Sequence, residues 1–249
     1  MEGAEPTFLP GQSAGVLLLH DLAGTPQIFR SLTESLGNAD MAVDVPLLPG
    51  HGTSIDELNE TTWDDWAAAA QLALDELASR SGSVVVAGIS MGAALACLVA
   101  SNHPSVAGVI AINPRVMPVT REALSTLQSM IESGITQVEP LAPDISDRAI
   151  EVLRYSAVPT STLLSMFTAL NQMDDHWSSF DLPMLVITSA HDHRVSPDNA
   201  DWLSEKVSGH VDRLTLERSF HEATLDVEHE KLEREVVEFV RGVTATLPE

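Results

Sequence analysis

The chain has 249 residues, 36 of them acidic and 13 basic, for a formal charge of −23. Such a balance argues against a surface that binds nucleic acid or anionic membranes, while a hydrophobic fraction of 44% is enough to bury a large core in one domain, 1–249. No apolar run approaches bilayer length, the start lacks the basic segment of a signal peptide, and the lone cysteine, Cys97, allows no internal disulfide. A cytoplasmic protein without stable membrane insertion is expected, with a homodimer left open.

Ala14 to His20 is an apolar run between Gly11 and Asp21, which predicts a central strand. Thr25-Pro26 supplies an N-cap and a first helical position for a helix to about Leu36. Val43 and Val45 mark a second strand, closed by the turn-rich stretch Pro46 to Gly52. Thr62 and Asp65 form a capping-box pattern that opens a helix carrying Trp63, Trp66, Leu72, Leu74 and Leu77 to Ser79.

The β-branched run Val84-Val85-Val86 then predicts a strand buried on both faces. It feeds Gly88-Ile89-Ser90-Met91-Gly92, a match to G-x-S-x-G, and an Ala-rich helix ending near Asn102. Further strands are expected at Val106 to Ile112, Met184 to Thr188 and Arg213 to Leu216. Helices are expected from Pro197 to Val207 and from Val227 to about Val243. Strands alternating with helices imply an α/β fold: a mostly parallel central sheet with helices on both faces. Residues 114–180 break the alternation, with helical patterns and no convincing strand between Asn113 and Asp181, which reads as a small helical cap inserted over the strand ends. Within it Leu163, Met166, Phe167 and Leu170 share one helix face. Part of that stripe should pack on the core and part should line a pocket.

The strand-turn-helix context gives Ser90 its meaning. A tight reversal lifts the hydroxyl clear of the sheet, and the new helix points its free N–H groups at the reaction centre. A serine needs a base to take its proton, and that base needs an anionic partner to fix its tautomer. His221 follows the last strand and Asp192 the one before it, which gives the chain order Ser…Asp…His. The rival acids are Asp198, in the first turn of a helix, and Asp226, a cap before the final helix. His20 and His51 border the site at most and are read as structural. The N–H of Met91 and that of Leu22 are the expected oxyanion donors. His191 and His193 could suggest a zinc site, but no H-E-x-x-H motif or cysteine ligand accompanies them, so no metal is expected.

Several segments together resemble an α/β-hydrolase of the small-capped bacterial carboxylesterase and monoacylglycerol lipase branch. They are L-L-L-H-D-L-A-G-T-P from Leu17, L-L-P-G-H-G from Leu47, T-T-W-D-D-W, G-I-S-M-G, H-D-H-R-V-S-P, and S-F-H-E-A-T-L-D from Ser219. The resemblance implies Ser90, Asp192 and His221 as the catalytic set, with the oxyanion donors on Leu22 and Met91, no cofactor, and a short helical cap over an acyl pocket. The expected substrate is a small ester with an apolar short- or medium-chain acyl group, monoacylglycerols included. Residues expected to line its pocket are Ile135, Met166, Leu170 and Val195. One departure stands out. Asp21 and Leu22 occupy positions where the branch usually carries glycine and an aromatic, and a carboxylate beside a developing oxyanion is repulsive unless it points away. Two other readings use the same residues: a carbon–carbon bond hydrolase, and a ligand-binding receptor with little turnover.

Overall fold

Alternate residues of the inner strands face opposite ways, and here both sets are apolar. In the computed structural model, whose described residues are 1–101, 103–138, 142–173 and 177–245, β2 (Gly15–Leu19) sends Leu17 and Leu19 into one core and Val16 and Leu18 into another. β4 (Val84–Ile89) does the same with Val84 and Val86 against Val85, Ala87 and Ile89. Strands apolar on both sides need cover on both sides, and helices supply it. The first core is closed by α3 (Trp63–Ala78) and α4 (Met91–Ala100). The second is closed by α1 (Arg30–Asn38) and α8 (His229–Thr244), whose Leu32, Leu36, Leu232, Val236 and Val240 are buried in it.

The remaining strands are β1 (Thr7–Leu9), β3 (Ala42–Val45), β5 (Val106–Ile112), β8 (Met184–Ser189) and β9 (Val211–Leu216). The sheet order is β1-β3-β2-β4-β5-β8-β9, parallel throughout except for β1, which pairs antiparallel with β3 at the edge. The mostly parallel sheet is therefore as expected. β1 is missing from the sequence reading because three residues, two of them exposed, carry no alternation to detect.

Helix starts differ from expectation in small ways. Pro26–Phe29 forms a tight 3-10 turn before α1, and the capping box at Thr62 is present, its N–H donating to Asp65 at 2.9 Å. Short α2 (Ile55–Asn59) was not anticipated. The helix after β8 is α7 (Asp198–Lys206), and α8 starts at His229, two residues beyond Val227. The expected end of the helix behind Ser90, near Asn102, lies outside the described residues.

The segment between β5 and β8 needs a correction. Besides α5 (Arg121–Glu132) and α6 (Thr160–Gln172), it holds two short strands, β6 (Gln137–Val138) and β7 (Val158–Pro159), paired antiparallel. Two-residue strands far apart in sequence leave no periodic signal. Residues 151–155 strap this segment to the loop after β2. Thr25 donates to the Leu153 carbonyl at 3.0 Å, Tyr155 N–H to the Ala23 carbonyl at 2.9 Å, and the Gln27 side chain to the Glu151 carbonyl at 2.9 Å.

Candidate active site

The reversal after β4 is sterically exacting. A Cβ on Gly88 would lie 2.0 Å from the carbonyl oxygen of Gly92, across the turn. On Gly92 it would lie 2.0 Å from the Leu19 carbonyl of the neighbouring strand, so the second glycine is required by strand packing and not by the turn itself. Ser90 sits between them at φ 55°, ψ −116°, in a region that L-residues avoid. Its N–H donates to the Ile112 carbonyl at 2.9 Å, and its own carbonyl accepts from Ala93 at 3.1 Å and Arg115 at 3.2 Å, which pins the strained geometry. Because glycine takes this conformation freely, Ser90→Gly is expected to stabilise the fold by about 1 kcal/mol, the relieved strain exceeding the extra entropy of the unfolded chain. Thermal unfolding would register this as a rise of a few degrees, and a lower Tm would contradict the strain.

Asp192 and His221 follow the last two strands of the sheet, β8 and β9. Nδ1 of His221 lies 2.7 Å from Oδ2 of Asp192, with both side chains 2% exposed. The other carboxylate oxygen of Asp192 accepts the N–H groups of Arg194 (2.7 Å) and Val195 (2.8 Å). Burial opposes ionisation of Asp192, but the hydrogen bond and charge of His221 and the two backbone donors outweigh it and hold the carboxyl below its ordinary range. An ionised carboxylate only accepts, so in the neutral ring of His221 the proton sits on Nδ1 and Nε2 is the acceptor. Among the described residues no hydrogen bond joins Ser90 to His221, yet both line one pocket. Such contacts commonly tighten only when substrate arrives.

The loops carrying these groups are fixed by buried polar side chains. Asn113, at φ 41° just past β5, donates to Ser189 Oγ (3.0 Å) and the His221 carbonyl (2.9 Å) and accepts from Ser189 N–H at 2.7 Å. Asp226 is not a helix cap. Its carboxylate receives Ser146 Oγ (2.5 Å) and the N–H groups of Ser146 (2.9 Å), Phe220 (2.8 Å) and Val227 (2.8 Å), tying the His221 loop to the inserted segment. Glu228 similarly takes N–H bonds from Arg218 (2.7 Å) and Ser219 (3.0 Å). Asp198, at the exposed start of α7, is far from any such role.

His20 and His51 are structural. Leu48 N–H donates to Nε2 of His20 at 3.1 Å, so the ring proton is on Nδ1, 2.9 Å from the Asp21 carbonyl. His51 packs edge-on against His20 and Trp66, and burial, helped by the neighbouring His20, pushes its pKa down to about 3. His193 faces Asp144 at 2.8 Å, and His191 is exposed. Cys97 is fully buried, which pushes its thiol up to about 12.

The pocket encloses about 470 Å³ of non-protein space, part of it open to solvent. Leu22, Met91, Val158, Leu163, Met166 and Phe167 supply its apolar wall, and Asp21, Arg115, Arg154 and Arg194 its charges. Of the four residues expected to line it, only Met166 does. Leu170 is fully buried in the core and Val195 lies behind Asp192, away from this pocket. Ile135 is 46% exposed, because the β6 end of the insertion turns outward. The α6 stripe thus divides, with Leu163, Met166 and Phe167 roofing the pocket and Leu170 in the core. Leu22 and Met91 both sit at its floor. Met91 is the first residue of α4, where N–H groups lack helical partners, and no bond among the described residues engages the Leu22 N–H.

Asp21 is buried at 3% exposure and faces Arg154, Oδ2 to Nη2 at 3.3 Å, while Arg154 also bonds Glu222 and reaches the Leu22 carbonyl at 3.4 Å. Burial raises the cost of its charge, but Arg154, then His221, His20 and Arg194, overcome this and hold it below the usual carboxylate range. Glu222 goes the other way, burial pushing its pKa up despite Arg154. Sequence reasoning missed Arg154 and Arg115. The scarcity of basic residues was the signal available.

A parallel sheet whose central strand runs into a strained serine turn, with acid and histidine on the following strand ends, defines an α/β-hydrolase. The chain belongs to the family described as Serine aminopeptidase, S33, whose model matches residues 10–228. It is 30% identical over 248 residues to a thermostable monoacylglycerol lipase of Bacillus sp. (strain H-257), covering 96% of this chain and 95% of that one. It is 23% identical over 241 residues to a carboxylesterase of Bacillus subtilis (strain 168), covering 95% and 96%. Among solved structures, one from a study of the metagenome-derived lipolytic enzymes LipS and LipT superposes with a TM-score of 0.91 at 30% identity, covering 97% of this chain and 99% of that one. A monoacylglycerol lipase of Paleococcus ferrophilus shares the fold, with a TM-score of 0.79 at 17% identity over 95% and 98% of the two chains. Among the described residues no helix is long and apolar enough to cross a membrane.

Proposed function

We propose that the protein hydrolyses carboxylic esters through an acyl-enzyme on Ser90. Relatives named as a monoacylglycerol lipase and a carboxylesterase support the ester-hydrolase class. The observation that carries the residue assignment is the 2.7 Å contact between His221 Nδ1 and Asp192, which makes Nδ1 the donor, so that Nε2 of the neutral ring is the acceptor in the pocket that Ser90 shares.

In the first step Ser90 Oγ attacks the ester carbonyl while His221 Nε2 takes its proton. Negative charge gathers on the carbonyl oxygen, where the N–H groups of Leu22 and Met91 receive it. Collapse of this intermediate breaks the ester C–O bond, and His221 returns the proton to the departing alcohol. Water, deprotonated by His221, then attacks the acyl-enzyme by the same route and frees the acid. No cofactor is called for. The contact of Asp21 with Arg154 at 3.3 Å supports turnover, because a carboxylate with its charge engaged does not oppose the oxyanion as a free one would. Residues 114–180 act as the cap, and the apolar wall from α6 suits a short or medium acyl chain, monoacylglycerols among the candidates.

A fluorophosphonate probe tests the reading directly. One phosphonyl adduct, mapped to Ser90 by peptide mass, is the expected result, with turnover of p-nitrophenyl esters greatest for short and medium chains. A protein that stays unlabelled would sink the nucleophile assignment. A preference for long chains would sink the substrate range.

A further inference from the structure

Basic residues are scarce in this chain, 13 in 249, yet three arginines line this one pocket. Two of them are committed to buried acids. Arg154 faces Asp21 and bonds Glu222, and Arg194 Nε lies 3.5 Å from Glu222.

Arg115 is different. It stands in the loop after β5, its backbone N–H bonded to the Ser90 carbonyl at 3.2 Å, which places it beside the nucleophile turn. Its Nη2 donates to the Arg194 carbonyl at 2.6 Å, and its guanidinium lies over the Phe167 ring, 5.8 Å from the centroid. These contacts hold the group in place. They leave most of its five donors unspent. Among the described residues no carboxylate is within ion-pair distance of it. Asp192 is close enough to favour its charge, but both oxygens of that carboxylate already accept other donors. Burial pulls the Arg115 pKa down, as expected for a cation removed from water without a counter-ion. A single carbonyl bond does not require a guanidinium, whereas a planar fork facing a ligand pocket matches a carboxylate.

We propose that Arg115 receives a carboxylate carried by the substrate, so that the preferred ester bears a second, anionic group in addition to its apolar portion. This rests on the ester-hydrolase reading above and narrows it. The carboxylate belongs either to the acyl chain, as in a half-ester of a dicarboxylic acid, or to the alcohol portion.

Two substrate pairs separate these sources. p-Nitrophenyl adipate half-ester against p-nitrophenyl hexanoate probes the acyl side, and 4-acetoxybenzoate against its methyl ester probes the alcohol side. The wild-type protein is expected to favour the charged member of one pair by tenfold or more in kcat/KM. Arg115→Gln should erase that ratio and Arg115→Lys should keep part of it. No preference in either pair, or a preference that survives Arg115→Gln, overturns the proposal. Should the glutamine variant fail to fold, Ser90→Ala protein titrated with adipate gives a second reading. Saturable binding that weakens with added salt is expected, and no saturable binding overturns the proposal. Failure of the underlying reading looks different, since the wild-type protein would then hydrolyse neither member of either pair.

Discussion

Ser90→Ala is expected to lower ester turnover by about a millionfold while leaving the fold intact. The hydroxyl makes no hydrogen bond among the described residues, so its removal leaves no buried group unpaired. The strained turn is held by backbone bonds from Ser90 N–H to Ile112 and from Ala93 and Arg115 to the Ser90 carbonyl, all of which alanine keeps. A residual rate above that of water should remain, because both proposed oxyanion donors are backbone groups. Steady-state hydrolysis of p-nitrophenyl butyrate, with circular dichroism as a control for folding, measures it. A variant retaining a tenth of the activity would show that the reaction does not pass through Ser90.

Asp192→Asn should cost about ten-thousandfold in kcat, for a reason that is purely one of proton placement. Oδ1 of Asp192 accepts two N–H groups, from Arg194 and Val195, so an asparagine must put its carbonyl oxygen there. Its NH2 then faces His221 Nδ1 across the 2.7 Å gap now spanned by a carboxylate. Two donors cannot share that gap. The ring responds by carrying its proton on Nε2, where it can no longer accept one from serine. The rate measured across pH, together with a Tm near that of the parent, separates this from unfolding. A loss of tenfold or less would mean that Asp192 does not orient the base.

The fold and the proposed catalytic residues were legible because each depends on short-range rules. A valine run followed by two glycines around a serine can be satisfied in few ways, and the observed β4–α4 turn, where a Cβ on either glycine would lie 2.0 Å from a carbonyl oxygen, is one of them. The order of Asp192 and His221 on successive strand ends follows from the alternation of elements. The surroundings of the site were far less legible. Arg154 lies in a strap without regular structure, and nothing local links it to Asp21. Asp226 has the position of a cap, and only the folded chain brings Ser146 to it. Ile135 and Leu170 were apolar residues in the right segment, but whether such a side chain faces a pocket, the core or solvent depends on how the insertion sits, which periodicity alone does not determine.

The pairing of Asp21 with Arg154 has a consequence for how this chain could have changed over time. A relative with glycine after its first central strand can keep a guanidinium at the position of Arg154, because Glu222 still pairs with it. Aspartate acquired alone would leave a stranded anion beside the proposed oxyanion donors. The two positions, distant along the chain, are therefore expected to be linked in one direction: among homologues an aspartate at the position of Asp21 should occur only where an arginine stands at that of Arg154.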